Sequence, residues 1–332
     1  MKKTKVVCIG EALIDSIRNK SNQGSTDFLG GAPANVACAL RKLKIESIFI
    51  GRLGSDNFGK KLIKEFNKLE VNLDFLQLDN DLSTRVVNVE RDQFGDRFFS
   101  GFQSSSHSCF ADEALSKNLI EKELPNLEKF FLETKYLVAG TNGLSSPKSA
   151  ETIFFLLELA KKFELKIIID LNWREVFWDY SIFSSEISKA ERVTLIKKFL
   201  NHADVLKLAK EEATLFFEHE NPLLISQQMS KRPDVIITDG ENPVTWYING
   251  LEGKSIIPNS QTIVDTTGAG DAFLAGLISK FISSGYPSNE LEIEDCVKFA
   301  SVCGLLTCLG EGAIEQQPNY ENVKNFLGSL IS

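Results

Sequence analysis

The chain alternates short, mostly apolar runs with longer amphipathic segments, and this alternation constrains its fold more than any other feature. The runs lie at residues 5–9, 47–50, 135–139, 166–170, 203–207 and 235–238. Runs of this length, each followed by a helical pattern, are typical of parallel strands that are covered by helices on both faces. We therefore predict one α/β domain over residues 1–332, built on a doubly wound, mostly parallel sheet.

Two segments depart from this alternation, and we assign them to a small second sheet. The first, residues 12–29, is polar and irregular from residue 16 onward. The second, residues 84–103, carries partly alternating valines and several phenylalanines among charges and glycines. Such patterns indicate extended β structure rather than further strand–helix units. A sheet over the carboxyl ends of the main strands would act as a lid, and its exposed edges would need to be covered.

A helix start that carries an acid is the strongest candidate for a reactive site. Residues 265–273 read Asp-Thr-Thr-Gly-Ala-Gly-Asp-Ala-Phe, and the apolar pattern behind them predicts a helix from about residue 269 to 283. Glycines at a helix start let an anion approach backbone N–H groups that have no partner within the helix. Asp271 would repel that anion. It therefore either accepts a proton from an attacking nucleophile or merely complements the helix dipole.

Polar residues at other predicted strand ends and helix starts are candidates for ligand contacts. Ligands of open α/β sheets bind beyond the carboxyl ends of the strands, where we expect Asp15, Asp170 and Arg174. Arg174 could hold a phosphate or a carboxylate, or could pair with Asp170, and Asp15 could instead be a solvated loop acid. Asn35 follows a Gly-Gly turn, where its amide could bind hydroxyl groups or simply cap a helix.

Composition and missing motifs exclude several functions. The formal charge of −8 argues against nucleic acids and anionic membranes, because both are bound by clustered Lys and Arg. Six cysteines without a Cys-x-x-Cys spacing indicate free thiols in a reducing cytoplasm. The sequence has no apolar stretch of roughly 18 residues that could span a membrane. It also has neither a Walker-type phosphate loop nor a Gly-x-Gly-x-x-Gly turn after the first strand.

Two separated stretches, residues 30–40 and 265–273, resemble the two signatures of the ribokinase-type (PfkB) carbohydrate kinases. Residues 10–15, 51–59 and 170–174 extend the resemblance over essentially the whole chain. Within the family, Gly-Glu-Ala-Leu-Ile-Asp and Gly-Gly-Ala-Pro-Ala-Asn are most similar to fructokinases. The resemblance implies a ribokinase-like fold with a small β-sheet lid and an ATP-dependent transfer of the γ-phosphoryl group to a sugar hydroxyl.

The resemblance also implies a role for each matched residue. Asp271 would be the general base, and the anion hole for the phosphoryl group would consist of Gly268, Ala269 and Gly270. Sugar contacts would come from Asp15, Gly31, Asn35, Asp170 and Arg174. ATP and its Mg²⁺ would lie against Lys207, Glu212, Thr238 and Gly240. A monovalent-cation loop, which implies K⁺ as a further cofactor, is matched by Asp265, Thr267 and Gly312.

Three departures from the family pattern affect the details. Ala209 stands where an Asn-x-x-Glu motif has Asn, and Pro243 stands where the nucleotide loop usually ends in Gly. The lid segment 97–112 matches fructokinases only loosely, so 2-keto-3-deoxygluconate is an alternative sugar, because Arg174 could pair with its carboxylate. A catalytically silent sugar-binding or regulatory protein is the alternative from another class. The family further implies a cytoplasmic homodimer that is assembled through the lid.

Overall fold

The structure is a computed structural model that describes residues 4–18, 24–91, 97–103, 109–179, 188–256 and 262–330. Its strands are β1 (Lys5–Ile9), β2 (Leu13–Arg18), β3 (Ser25–Gly30), β4 (Ser47–Ile50), β5 (Arg52–Gly54), β6 (Gln77–Asp79), β7 (Val86–Arg91), β8 (Arg97–Phe102), β9 (Thr134–Gly140), β10 (Lys166–Asp170), β11 (Val205–Ala209), β12 (Asp234–Thr238), β13 (Val244–Ile248) and β14 (Leu251–Ser255).

Its helices are α1 (Ala32–Lys42), α2 (Asn57–Lys68), α3 (Lys117–Lys122), α4 (Leu124–Phe131), α5 (Pro147–Lys162), α6 (Glu175–Asp179), α7 (Lys189–Leu200), α8 (Lys210–Phe217), α9 (Pro222–Gln228), α10 (Ala269–Ser283), α11 (Glu290–Thr307) and α12 (Tyr320–Ser329). The helix predicted behind the glycine turn is confirmed as α10. None of the helices in the described ranges is long and apolar enough to cross a membrane.

The main sheet has eight strands in the order β14-β13-β12-β11-β10-β9-β1-β4. The pairs from β4 to β12 are parallel, and an antiparallel hairpin, β13 and β14, extends the sheet at one edge. The predicted doubly wound, mostly parallel sheet is therefore confirmed. In the register of the sheet Asp170 lies beside both Gly140 and Lys207, so the ends of β9, β10 and β11 meet at one edge.

Helices cover both faces of the main sheet, because successive side chains of a strand point to opposite faces. On one face Val6, Cys8 and Ile168 join a core with α1, α10 and α11. On the other face Val7 and Ile169 join a core with α5, α7, α8 and α9. The buried, nearly continuous apolar strands are what such a two-sided arrangement requires.

A second sheet has four strands in the order β3-β2-β7-β8. β2 pairs with β3 in antiparallel and with β7 in parallel orientation, and β7 pairs with β8 in antiparallel orientation. These strands come from the two segments that we assign to the lid. The small additional sheet is confirmed, while its action as a lid stays a prediction. Residues 19–23 and 92–96 of these segments, and residues 104–108 of the lid segment 97–112, lie outside the described residues.

Candidate active site

The carboxyl ends of the parallel strands open into a cavity of about 800 Å³ between the two sheets. Alternate side chains of β2 and β7 form its outer wall: Leu13, Asp15, Ile17, Val87 and Val89. The inner wall brings together most of the other residues that the sequence singles out: Gly31, Asn35, Arg174, Lys207, Glu212, Thr238, Asp265, Thr267, Gly268, Gly270 and Asp271. The remaining four lie nearby: Ala269 and Gly240 in a neighbouring cavity, Asp170 behind Lys207, and Gly312 behind Asp265.

Asp271 lies in the first turn of α10, whose N-cap is Gly268 in the left-handed conformation (φ 76°). A β-carbon at Gly268 would meet the side chain of Ala313 at 2.6 Å, so both the backbone angle and the space require glycine. The amide of Ala269 donates to the carbonyl oxygen of Thr266 at 3.2 Å. This amide is thus already hydrogen-bonded within the protein. Of the three residues expected in the anion hole, Gly268 and Gly270 line the first cavity.

The Asp271 carboxylate is buried and accepts a hydrogen bond from Asn35, whose Nδ2 lies 2.8 Å from its Oδ2. Burial raises the pKa of Asp271 to about 6, and the charge of Asp170 adds to this effect. The hydrogen bond from Asn35 and the charges of Lys207 and Arg174 act in the opposite direction. Asp271 is thus mainly ionised at neutral pH, yet it is a better proton acceptor than an ordinary aspartate.

Asp170 and Lys207 form a buried ion pair directly beneath the α10 start. The Lys207 Nζ lies 3.1 and 3.0 Å from the two carboxylate oxygens of Asp170. It also lies 2.8 Å from the point that a β-carbon at Gly270 would occupy. The alternative in which Arg174 pairs with Asp170 is therefore not what the structure shows: Lys207 contacts Asp170, while Arg174 donates to the backbone oxygen of Trp173 and acts on Asp170 through its charge. Lys207 thus brings a positive charge close to the expected anion hole.

Glu212 uses both carboxylate oxygens on backbone amides. One accepts from Trp173 at 2.6 Å and the other from Ala209 at 2.7 Å, so Glu212 ties the start of α8 to the loop after β10. That loop contains Asn172 in the left-handed conformation, with φ 40°. Glu212 still faces the cavity. Each of its oxygens keeps a lone pair, because a carboxylate can accept about four hydrogen bonds.

The three residues matched to a cation loop are brought together around one carboxylate. Asp265 Oδ1 accepts from the amide and the hydroxyl of Thr267 at 3.1 and 2.7 Å, and its Oδ2 accepts from the Gly312 amide at 2.9 Å. Asp265 therefore joins the segment before α10 to the loop between α11 and α12. Across the described ranges, we find no cluster of three or more His, Cys, Asp and Glu side chains that could hold a metal ion.

A second cavity, of about 380 Å³, adjoins the first where Thr238 and Gly270 line both. Its wall is mainly apolar and includes Val244, Phe273 and Leu305. Gly240 has a positive φ of 54° in the turn after β12, and Asn242 closes that turn with a hydrogen bond to Asp239. Pro243 follows this turn, so the glycine that the family pattern has there is not needed to form it.

The cavity residues that were not predicted as site residues from the sequence include Glu11, Asn142 and Phe177. Asn142 Nδ2 donates to Glu11 Oε1 at 3.0 Å, and Asn142 Oδ1 is buried without a hydrogen-bond partner in the described residues. Glu11 and Asn142 each follow the carboxyl end of a buried strand by two residues. The expectation that ligand contacts follow the carboxyl ends of strands, which singled out Asp15 and Asp170, applies equally to Glu11 and Asn142.

Comparisons with known proteins agree on one relationship. The model of the pfkB family of carbohydrate kinases matches residues 3–319. The chain is 30% identical to probable fructokinase-5 of Arabidopsis thaliana over 98% of its own length and 97% of that protein's. It is 28% identical to a fructokinase of Salmonella typhimurium, with 95% and 96% covered.

Solved structures give the same picture. The fructokinase of Xylella fastidiosa with bound ATP superposes with a TM-score of 0.86 at 26% identity, covering 99% of this chain and 100% of that one. The fructokinase of Vibrio cholerae O395 with fructose, ADP and a calcium ion superposes with a TM-score of 0.81 at 26% identity, covering 98% and 99%. The similarity thus extends over both sheets.

Proposed function

The chain belongs to the pfkB family of carbohydrate kinases, and from that premise we propose that it is a fructokinase, which transfers the γ-phosphoryl group of ATP to a hydroxyl of fructose. The observation that carries the proposal is the buried Asp271–Asn35 pair, which faces the cavity beside Gly268 and Gly270. The relatives named as fructokinases, one of them solved with fructose and ADP, support fructose as the acceptor.

Asp271 acts as the general base in this proposal. A sugar hydroxyl gives its proton to the Asp271 carboxylate as its oxygen forms a bond to the γ-phosphorus, and the bond from that phosphorus to the oxygen shared with ADP breaks. General base catalysis contributes roughly 10²–10⁴-fold to such a step. The rest of the acceleration comes from alignment and from neutralising the phosphoryl oxygens. The start of α10, with the charge of Lys207 beneath it, is suited to that neutralisation.

Asn35 suits both tasks at the acceptor. Its Nδ2 holds the carboxylate of Asp271, and its Oδ1 is buried without a partner in the described part of the chain. A buried amide oxygen without a partner is costly, typically by about 1–3 kcal/mol. A sugar hydroxyl that donates to this oxygen would remove that cost. It would lie within reach of the base at the same time. We place Asp15 and Gly31 beside the same sugar.

The nucleotide would occupy the second cavity, with its phosphates directed toward the α10 start. Thr238 and Gly240 lie at that end. Mg²⁺ supplies charge neutralisation at the phosphates when bound, and it needs only one or two protein carboxylates because phosphates and waters complete its shell. Glu212 faces the cavity with lone pairs to spare and fits this role. Relatives solved with ATP, with ADP and calcium, or with ADP and potassium support the use of nucleotide and metal ions.

We further propose that the four-stranded sheet is a lid on a single domain and that two copies of the chain pair through it in the cytoplasm. Within the described part of the chain, the edge strands β3 and β8 each pair with a strand on one side only, and a second copy could extend the sheet at such an edge. Sedimentation at working concentration should detect a dimer. Only monomer at that concentration would exclude this assembly.

A panel of acceptors tests the proposed substrate. ATP turnover should be measured with fructose, ribose, 2-keto-3-deoxygluconate and a nucleoside, and we expect kcat/KM for fructose to exceed the others by at least tenfold. Arg174→Ala should leave this ranking unchanged. A preference for 2-keto-3-deoxygluconate that is lost in Arg174→Ala would instead assign Arg174, which lines the cavity, to a sugar-acid carboxylate. If calorimetry detected fructose binding but no ATP turnover occurred, the chain would be a catalytically silent sugar-binding protein.

A further inference from the structure

Helix α1 begins without a capping side chain. Its N-cap is Gly31, and its first turn contains no acidic residue. A helix start leaves several N–H groups without partners and favours a negative charge nearby. Glu11 supplies that charge from another segment of the chain, because its Oε1 accepts a hydrogen bond from the amide of Ala32 at 3.3 Å.

The contact between Glu11 and the α1 start is tight on the backbone side as well. Gly31 has φ 102°, and a β-carbon there would lie 2.5 Å from the carbonyl oxygen of Glu11. Glycine therefore lets the turn before α1 press directly against residue 11. The position of the α1 start depends on the segment that follows β1.

The first turn of α1 carries the residue that holds the base. The amide of Asn35 donates to the carbonyl oxygen of Gly31 at 2.8 Å, which fixes Asn35 relative to the helix start. The side chain of Asn35 then reaches Asp271. A displacement of the α1 start would consequently move the amide that contacts both the base and the proposed sugar.

Glu11 also holds a second residue that lines the same cavity, Asn142. Its Oε1 accepts from Asn142 as well, and the Oδ1 of Asn142 is buried without a partner in the described residues, like that of Asn35. Glu11 itself is only 3% exposed. Burial raises the pKa of Glu11 to about 7 and the charge of Asp112 adds to this effect, whereas the hydrogen bonds from Asn142 and Ala32 favour the carboxylate.

We propose that Glu11 is a positioning residue, which caps α1 from outside the helix and thereby fixes Asn35 and Asn142 for the acceptor sugar. Glu11 acts through these two amides and not on the transferred phosphoryl group. The inference rests on the proposed function as far as it concerns a sugar. Its structural part, the cap on α1, does not depend on which acceptor the enzyme uses.

Steady-state kinetics of Glu11→Gln and Glu11→Asp, with fructose and ATP varied in turn, test the proposal. Hydrogen bonds to charged groups are about twice as strong as neutral ones. We therefore expect Glu11→Gln, assayed at a pH above 7 where Glu11 is mainly ionised, to raise KM for fructose about tenfold, to lower kcat by less, and to leave KM for ATP unchanged. Glu11→Asp keeps the charge and should restore part of the loss. Glu191→Gln makes the same change at the start of α7, where Glu191 accepts from the Ser188 amide, and should change neither KM.

Hydrogen exchange of the ligand-free protein separates this inference from the proposed function. In Glu11→Gln, the amides of residues 32–38 should exchange faster while those of α5 and α7 keep their rates. This result would support the cap even if the wild-type enzyme proved inactive toward fructose. Unchanged exchange in residues 32–38, or equal rises in KM for fructose and ATP, would overturn the proposal. Faster exchange throughout the chain would also overturn it, because Glu11 would then serve general stability.

Discussion

The two halves of the site are built in different ways. In the half that we assign to the sugar, the reactive groups are buried side chains fixed by other elements: Asp271 and Asn35 are 7% and 4% exposed and lie in hydrogen-bond contact. In the half that we assign to the nucleotide, Ile263 lines the second cavity and is 41% exposed. Thr238 lies in the same half, and its hydroxyl makes a long contact, 3.5 Å, with the backbone oxygen of Leu208.

This difference shows where the site is pre-organised. The sugar half already has the proposed base, its amide partner and two buried acceptor oxygens in place. Fixed dipoles of this kind stabilise a transition state without further reorganisation. The nucleotide half presents backbone turns and an apolar wall, so it depends less on any one side chain. Substitutions should therefore cost much more in the first half than in the second.

Replacement of the base should have the largest effect. Asp271→Asn keeps the shape of the side chain but removes the proton acceptor, so we expect kcat to fall by about 10²–10⁴-fold with little change in either KM. Initial rates of ADP formation with saturating fructose and ATP measure this effect.

A control carboxylate on α11 contacts the other end of α10. Asp295→Asn removes a carboxylate of α11 that pairs with Lys280 of α10 at 2.5 Å, and it should leave kcat unchanged. A loss in Asp271→Asn no greater than that in Asp295→Asn would show that the buried carboxylate is not the base. The proposal that the sugar half contains the reactive group would then be wrong.

Removal of the amide partner should have a smaller effect that depends on pH. Asp271 must be ionised to accept a proton, so activity of the wild type should fall as the pH drops through about 6, the pKa to which burial raises this residue. The hydrogen bond from Asn35 favours the carboxylate. In Asn35→Ala the pKa of Asp271 should therefore rise further, by about one unit for the loss of a bond worth roughly 1.5 kcal/mol.

The acid limb of the profile of log kcat/KM against pH would report that shift, because kcat/KM follows ionisations of the free enzyme. The limb should move to higher pH in Asn35→Ala, and KM for fructose should rise about tenfold while KM for ATP stays constant. A limb that stays in place, or moves to lower pH, would mean that Asn35 does not control the base.

Local patterns in the sequence are sufficient to predict several secondary-structure elements. The alternation of apolar runs and helices gave the parallel strands, and the glycine turn with its apolar periodicity gave α10 at its observed bounds. The strands of the second sheet could be predicted because β2 and β7 break that alternation. Asp271 and Asn35 were found one by one, each at a helix start, which is a local signal.

Contacts between distant segments could not be predicted in the same way. The Asn35–Asp271 bond joins residues 236 positions apart, and the Asp170–Lys207 pair depends on β10 and β11 being neighbours in register. Strand order is set by packing of the whole sheet, not by the sequence of any one strand. Glu212 shows the same limit, because its bond to Ala209 is local but its bond to Trp173 needs the fold.

The smallest effect is expected in the nucleotide half, and it tests most directly whether the two halves differ in pre-organisation. Thr238→Val keeps the shape of the side chain and removes only its hydroxyl, whose contact with the Leu208 oxygen is marginal. A neutral hydrogen bond contributes about 0.5–1.5 kcal/mol, and a marginal one lies at the lower end, so KM for ATP should rise by about threefold at most. KM for fructose should stay unchanged. A rise of more than tenfold in KM for ATP would show that a single side chain matters as much for binding in the nucleotide half as Asn35 does in the sugar half. The sugar half would then not be the more pre-organised of the two.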